Sequence, residues 1–332
     1  MAVSVATGEG LGVSHAELEG RRPLPEDTQL AVGFGEDAPQ IADPRVVRVA
    51  LRPLNGRTVG ELWRGTGRVE IGRTGAIRHA ADSDFLAGIL EIDEREHDGI
   101  AGTARAAYRS ISEFVADSPY RHLLRVWNIL DGINRGAGDA ERYRQFCVGR
   151  AAALQDGRTA RGGHATFPAA TAVGRRDGSP MLQIYWLAGR IPGIAFENPR
   201  QTSAYRYPAQ YGPSPPSFSR AMLVGGRSLL ISGTASIVGH ATHHPHDIRE
   251  QFAETVRNLR SLMQSVLKAA PTLSVEPGTR GLLKLYLRDA ESSTEIAALL
   301  REQLPTDIPP LLLEADICRA DLQLEIECLQ NS

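Results

Sequence analysis

The sequence predicts an α+β protein made of two pseudo-repeated β-α-β-α-β-β units, with helices packed on mixed sheets. Three observations predict it. The same succession of apolar runs and helical periodicity occupies about 85–190 and again about 225–330. The fragments LLRVWNIL and LLKLYLRD hold the same place in the two runs. Each run also closes on a pair of strands after its second helix.

The elements follow in order. Residues 29–34 and 46–51 read as strands separated by a Gly/Asp/Pro-rich connection. In the first unit, 85–92 is a strand and 101–116 a helix with Tyr108, Ile111, Phe114 and Val115 on one side. Then come a strand at 123–130, a helix at 139–154, and strands at 166–173 and 181–188 around the Asp177-Gly178 turn.

In the second unit, 229–237 is a strand that runs into the small residues Ser232, Gly233, Thr234, Ala235 and Ser236, where another group can approach the backbone. Asp247 and Glu250 have capping-box spacing, and Phe252, Val256, Leu259 and Met263 recur at helical spacing over 248–267. Strand 282–288 puts Leu283, Leu285 and Leu287 on one face and Lys284, Tyr286 and Arg288 on the other. A helix capped at Ser292 runs to 304, and strands at 311–317 and 322–328 end the unit.

The expected organisation is a loose arm over 1–26, an N-terminal domain over 27–196, a connection over 197–224 and a C-terminal domain over 225–332. The connection is dense in Pro, Tyr and Arg and long for a plain linker, which predicts a loop that lines a site.

Composition excludes several classes. A chain of 332 residues with 42% hydrophobic and 23% charged residues has the make-up of a globular protein. Its net charge of −2 offers no positive field for nucleic acid or an anionic membrane. No apolar run approaches the ~18 residues of a membrane span, and the N-terminus lacks the pattern of a secretory signal. Cys147, Cys318 and Cys328 are odd in number and lack CxxC spacing, which points to a reducing cytoplasm. Cys147 and Cys328 read as small buried hydrophobes.

The stretch SGTASIVGH and the C-terminal pattern C-x6-E-I-E resemble the signature of the chorismatases, and each unit is similar to the RidA/YjgF fold. The resemblance covers about 45–330 and implies that the N-terminal copy is degenerate, with one working cleft between the halves of a single chain. A monomer is therefore expected, acting on chorismate without metal or organic cofactor.

The last strand places Leu322, Leu324 and Ile326 on one face and Gln323, Glu325 and Glu327 on the other, which by itself is a half-buried strand with a wet acidic face. By resemblance, the first glutamate of LEIE, Glu325, is the acid; the aligned MLQIYWLA of the first unit has no carboxylate. Such an acid must stay partly neutral to protonate a carbon, which burial favours. A dicarboxylate substrate needs cationic anchors, and the expected binding residues are Arg150 in FCVGRAA, Arg220 in FSRA and Arg288 in LYLRD, with Tyr211 as a hydroxyl donor.

His240, His243, His244 and His246 invite a metal reading, but HExxH is absent and the expectation is a turn at the site mouth. The 3-hydroxybenzoate-forming members resemble this chain at Gly233 and Cys318, so 3-hydroxybenzoate and pyruvate are the expected products. The alternatives are hydrolysis to a dihydroxycyclohexadiene carboxylate, a mixture of 3- and 4-hydroxybenzoate, a non-catalytic binding protein, or a RidA-like imine deaminase. The last lacks its arginine, because the position fifteen residues before Glu325 is Pro310.

Overall fold

The computed structural model describes residues 3–4, 11–16, 18, 23–55, 60–159, 166–278, 281–304, 306 and 308–332. Among the described residues, three larger sheets and four α-helices make up the fold.

The two repeats have one topology. In the first, Ala169–Arg175 lies parallel to His122–Asp131, which pairs antiparallel with Met181–Gly189, which pairs antiparallel with Phe85–Asp93. In the second, Leu311–Glu314, Gly281–Leu287, Leu324–Asn331 and Ser228–Thr234 stand in the same order with the same directions. The repeat is larger than the sequence suggests. Each first strand is flanked by two further strands, Ile77–Ala81 and Glu70–Thr74 in one unit, Ala221–Val224 and Ile194–Phe196 in the other. The second sheet thus begins inside what reads as the N-terminal domain and its connection.

Strand periodicity sorts the core. Leu229 and Ile231 face the helices α3 (Ile248–Val266) and α4 (Ser293–Gln303), where they meet Phe252, Leu259, Met263 and Ile296. Leu230, between them, faces the opposite way, into a central core with Trp63, Trp127, Tyr185 and Tyr286. The first unit does the same with α1 (Gly99–Asp117) and α2 (Arg142–Thr159), which cover Val126, Ile184 and Trp186. Asp247 caps α3 through Glu250 N as its spacing predicts. At α4 the cap is shifted: Asp289 accepts from Glu291 N in a preceding 3-10 turn, and Ser292 makes no side-chain cap bond.

The segment expected as a loose arm is in part structured. Gly12–Ala16 pairs with Gly60–Arg64 in a five-stranded sheet that also holds Thr28–Phe34 and Val46–Val49 and packs on the central core. Residues 1–2, 5–10, 17 and 19–22 of that arm lie outside the described residues.

The halves are stitched together where the site forms. Asp316–Ile317 leaves the second unit and pairs antiparallel with Ala169–Arg175 of the first. Ser232 Oγ accepts from Ala170 N and donates to Ser219 O, and Gly233 N donates to Thr171 Oγ1.

Candidate active site

The register between Ser228–Thr234 and Leu324–Asn331 slips between Ile231, opposite Cys328, and Thr234, opposite Ile326. Three steps along one strand match two along the other, so Ser232 and Gly233 form a bulge. At that bulge a cavity of about 410 Å³ opens between the halves. Its lining includes Arg150 and Tyr143 from the first unit, Gly233, Cys318 and Glu325 from the second, and Tyr211 and Arg220 from the connection.

Glu325 and Glu327 share a face of the closing strand and have opposite environments. Glu327 accepts from Arg125 (2.7 Å), Lys284 (2.7 Å), Trp127 Nε1 (2.9 Å) and Thr171 Oγ1 (2.6 Å). Burial alone would raise its pKa, but Lys284 and Arg125 hold it down at about 2. Glu325 is 5% exposed and accepts no hydrogen bond among the described residues. Burial, with the charge of Glu327 added, pushes it up to about 8. Burial thus favours its protonated form, and it faces the cavity.

Gly233 makes room for that acid, because a Cβ there would overlap Glu325 Oε1. Cys318 lines the cavity as a neutral thiol: burial and the neighbouring Glu325 push its pKa up to about 12.

The cations of the cavity are short of partners. Arg150 is 3% exposed; its guanidinium stacks 4.7 Å from the Tyr108 ring, and Nε and Nη2 have no partner. Helix α2 brings it there by close contact with α1, at Gly149, where any Cβ would strike the Ala101 carbonyl. Arg220 donates to Tyr207 Oη (2.7 Å) and Thr202 O (3.2 Å) but leaves Nε free. An unpaired buried charge costs roughly 3–5 kcal/mol, so these guanidinium groups define an anion site. Tyr211 lines the same cavity, with its hydroxyl 3.1 Å from His240 Nδ1.

Arg319 completes the set and escaped the sequence reading. It lies 4.0 Å from the Tyr211 ring centroid and leaves Nη2 without a partner. Its place beside Cys318 was the available signal. Arg288, expected as an anchor, does not line the cavity. Its donors are taken by Asp316 (2.7 Å), Asn134 and the carbonyls of Ile317, Arg319 and Leu322, so it braces the loop that carries Cys318 and Arg319. Among the described residues, no group of three His, Cys, Asp or Glu side chains is placed to hold a metal ion.

A buried carboxyl beside guanidinium groups with free donors is an arrangement that can protonate a small polyanion while holding its carboxylates. Residues 61–188 match the family described as Chorismatase FkbO/Hyg5-like, N-terminal. A 3-hydroxybenzoate synthase of Streptomyces hygroscopicus is 35% identical over 280 residues, 80% of each chain. A chorismatase of Streptomyces rapamycinicus is 36% identical over 283 residues, again 80% of each. A chorismatase crystal structure superposes with a TM-score of 0.83 at 29% identity, covering 99% of both chains. The chain belongs to the chorismatase family.

Proposed function

We propose that this enzyme converts chorismate to 3-hydroxybenzoate and pyruvate. The observation that carries the reading is the buried Glu325 carboxyl facing a cavity that holds Arg150, Arg220 and Arg319 with unpaired donors. The arginines bind the two carboxylates and Tyr211 adds a hydroxyl donor.

Glu325 gives its proton to the enolpyruvyl methylene carbon, which becomes the methyl group of pyruvate, and positive charge develops at the adjacent ether carbon. The ring C4 oxygen then bonds to C3 as the C3–O ether bond breaks. The electron pair of that bond leaves with oxygen and completes the pyruvate carbonyl. The C4 hydroxyl loses one proton, which balances the proton spent, and the ring isomerises to the aromatic product. Chorismate and the two products together have the same atoms, so no oxidant or water enters the balance.

Gly233 and Cys318 favour the internal hydroxyl over water. The glycine leaves the acid and the ring their space, and the neutral thiol recruits water poorly. The name of the Streptomyces hygroscopicus relative supports the aromatic product. Both walls of the cavity come from one chain, which supports a working monomer. The three cysteines are unpaired, which supports a reducing cytoplasm, and no helix among the described residues is long and apolar enough to cross a membrane.

Liquid chromatography of the purified protein with chorismate tests the reading. Equimolar 3-hydroxybenzoate and pyruvate are expected; a dominant dihydroxycyclohexadiene carboxylate would replace the aromatic outcome with hydrolysis, and no pyruvate would refute the activity.

A further inference from the structure

Behind the cavity lies a charged cluster whose members do not line it. Lys284 is 1% exposed and lies 2.9 Å from Glu61 and 2.7 Å from Glu327. Glu327 also holds Arg125. Lys284 and Arg125 occupy equivalent positions in the second strands of the two repeats, two residues before Tyr286 and Trp127. Those aromatics pair with Glu325 and with Tyr185, so the first-unit counterpart of the acid is a tyrosine. The two cations that pseudo-symmetry supplies thus converge on one carboxylate. Glu61 comes from Gly60–Arg64 of the N-terminal sheet, outside the repeats.

Charge balance gives the cluster a consequence. Two buried cations, Arg125 and Lys284, face two buried carboxylates, Glu61 and Glu327, and Glu325 would be a third. Both cations contact Glu327, which makes four polar contacts, and Lys284 also reaches Glu61, while Glu325 makes none among the described residues. The other charged or titratable groups that act on Glu325 are Arg220 from the connection, Cys318 from the loop after Ile317 and Tyr143 from α2. Both Cys318 and Tyr143 are held neutral by burial.

We propose that Glu327, Lys284 and Glu61 form a positioning relay that sets the charge felt by the Glu325 carboxyl, so that a residue of the N-terminal sheet tunes an acid it never touches. Glu327 supplies a fixed negative charge two residues from Glu325. Lys284 offsets part of that charge, and Glu61, whose pKa is raised by burial against the pull of Lys284, in turn offsets Lys284 once ionised. Removing Glu61 therefore strengthens the positive field at Glu325 and favours its ionisation; removing Lys284 does the reverse.

The inference rests on Glu325 serving as the acid of the proposed reaction, which is active only while protonated. The test is the alkaline limb of kcat/KM for pyruvate release in the parent, Glu61→Gln, Lys284→Gln and the double variant. Glu61→Gln should move the limb to lower pH by about 0.5–1 unit and Lys284→Gln to higher pH by a similar amount. The double variant should return close to the parent. A merely structural role would lower rates without moving the limb in opposite directions, and unmoved limbs overturn the relay. If the parent releases no pyruvate, the proposed function fails instead. If the parent is inactive or a variant does not fold, ¹³C-carboxyl NMR of the intact protein decides. The relay requires Glu325 to titrate in the alkaline range while Glu327 stays ionised, and joint protonation of the two overturns it.

Discussion

A methyl group at residue 233 would overlap the space that Glu325 Oε1 occupies. The glycine and the acid are therefore one unit, although they stand on different strands and 92 positions apart, 325 − 233 = 92. Gly233→Ala should force the carboxyl to a new rotamer in the cavity, lower kcat at least about tenfold, the low end of what general acids contribute, and divert chorismate towards the diene diol. Adding Cys318→Ala should extend that drift. Chromatography of both variants checks this; parent-like rates and products would show that the acid is insensitive to residue 233.

Arg150, Arg220 and Arg319 hold unpaired N–H groups on one cavity. Substitution of any one by Lys keeps the charge and loses the planar fork, which costs about 1.5–3 kcal/mol. KM for chorismate should rise roughly tenfold to hundredfold, as 1.4 kcal/mol is a factor of ten. Steady-state kinetics of the three variants check it, and unchanged KM in all three would remove them as anchors. Arg288→Lys should instead lower the melting temperature, because its guanidinium braces the loop around Cys318.

The pH dependence of stability distinguishes the two glutamates. Glu325 is raised from 4.5 to about 8, so its neutral form stabilises the fold fully below pH 4.5, and that contribution is lost as pH rises towards 8. Glu327 is lowered to about 2, so its contribution is present above pH 4.5 and lost as pH falls towards 2. Glu325→Gln should thus match the parent near pH 4 and become more stable than it as pH approaches 8. Chemical denaturation at several pH values measures the difference; a gap that does not grow with pH would contradict the assignment.

Much of the repeat was legible because its strands and helices bury regular apolar faces. The alternation of the last strand already put Glu325 and Glu327 side by side. The resemblance singled out Glu325, but no local pattern could show that Glu327 is saturated by Arg125 and Lys284, which lie far away in sequence. Glu70–Thr74 was missed because that strand is mostly exposed and lacks a buried face. Gly12–Ala16 was hidden in a Gly- and Glu-rich segment, and Glu61 is an ordinary acid in GELWR until the sheet carries it to Lys284. Arg288 was read as an anchor and Arg319 was not singled out, for a related reason. In sequence the two arginines look alike; only the folded chain shows that Arg288 spends its guanidinium on Asp316, Asn134 and loop carbonyls, while Arg319 donates to His240 O and Thr242 Oγ1 and keeps Nη2 without a partner.

The most direct test is the initial rate of pyruvate release from chorismate by Glu325→Gln, in folded protein that still binds the substrate. The amide cannot give up a proton as an acid does, and general acids contribute about 10²–10⁴-fold. A fall of at least about a hundredfold is predicted; a variant as fast as the parent would show that Glu325 is not the acid.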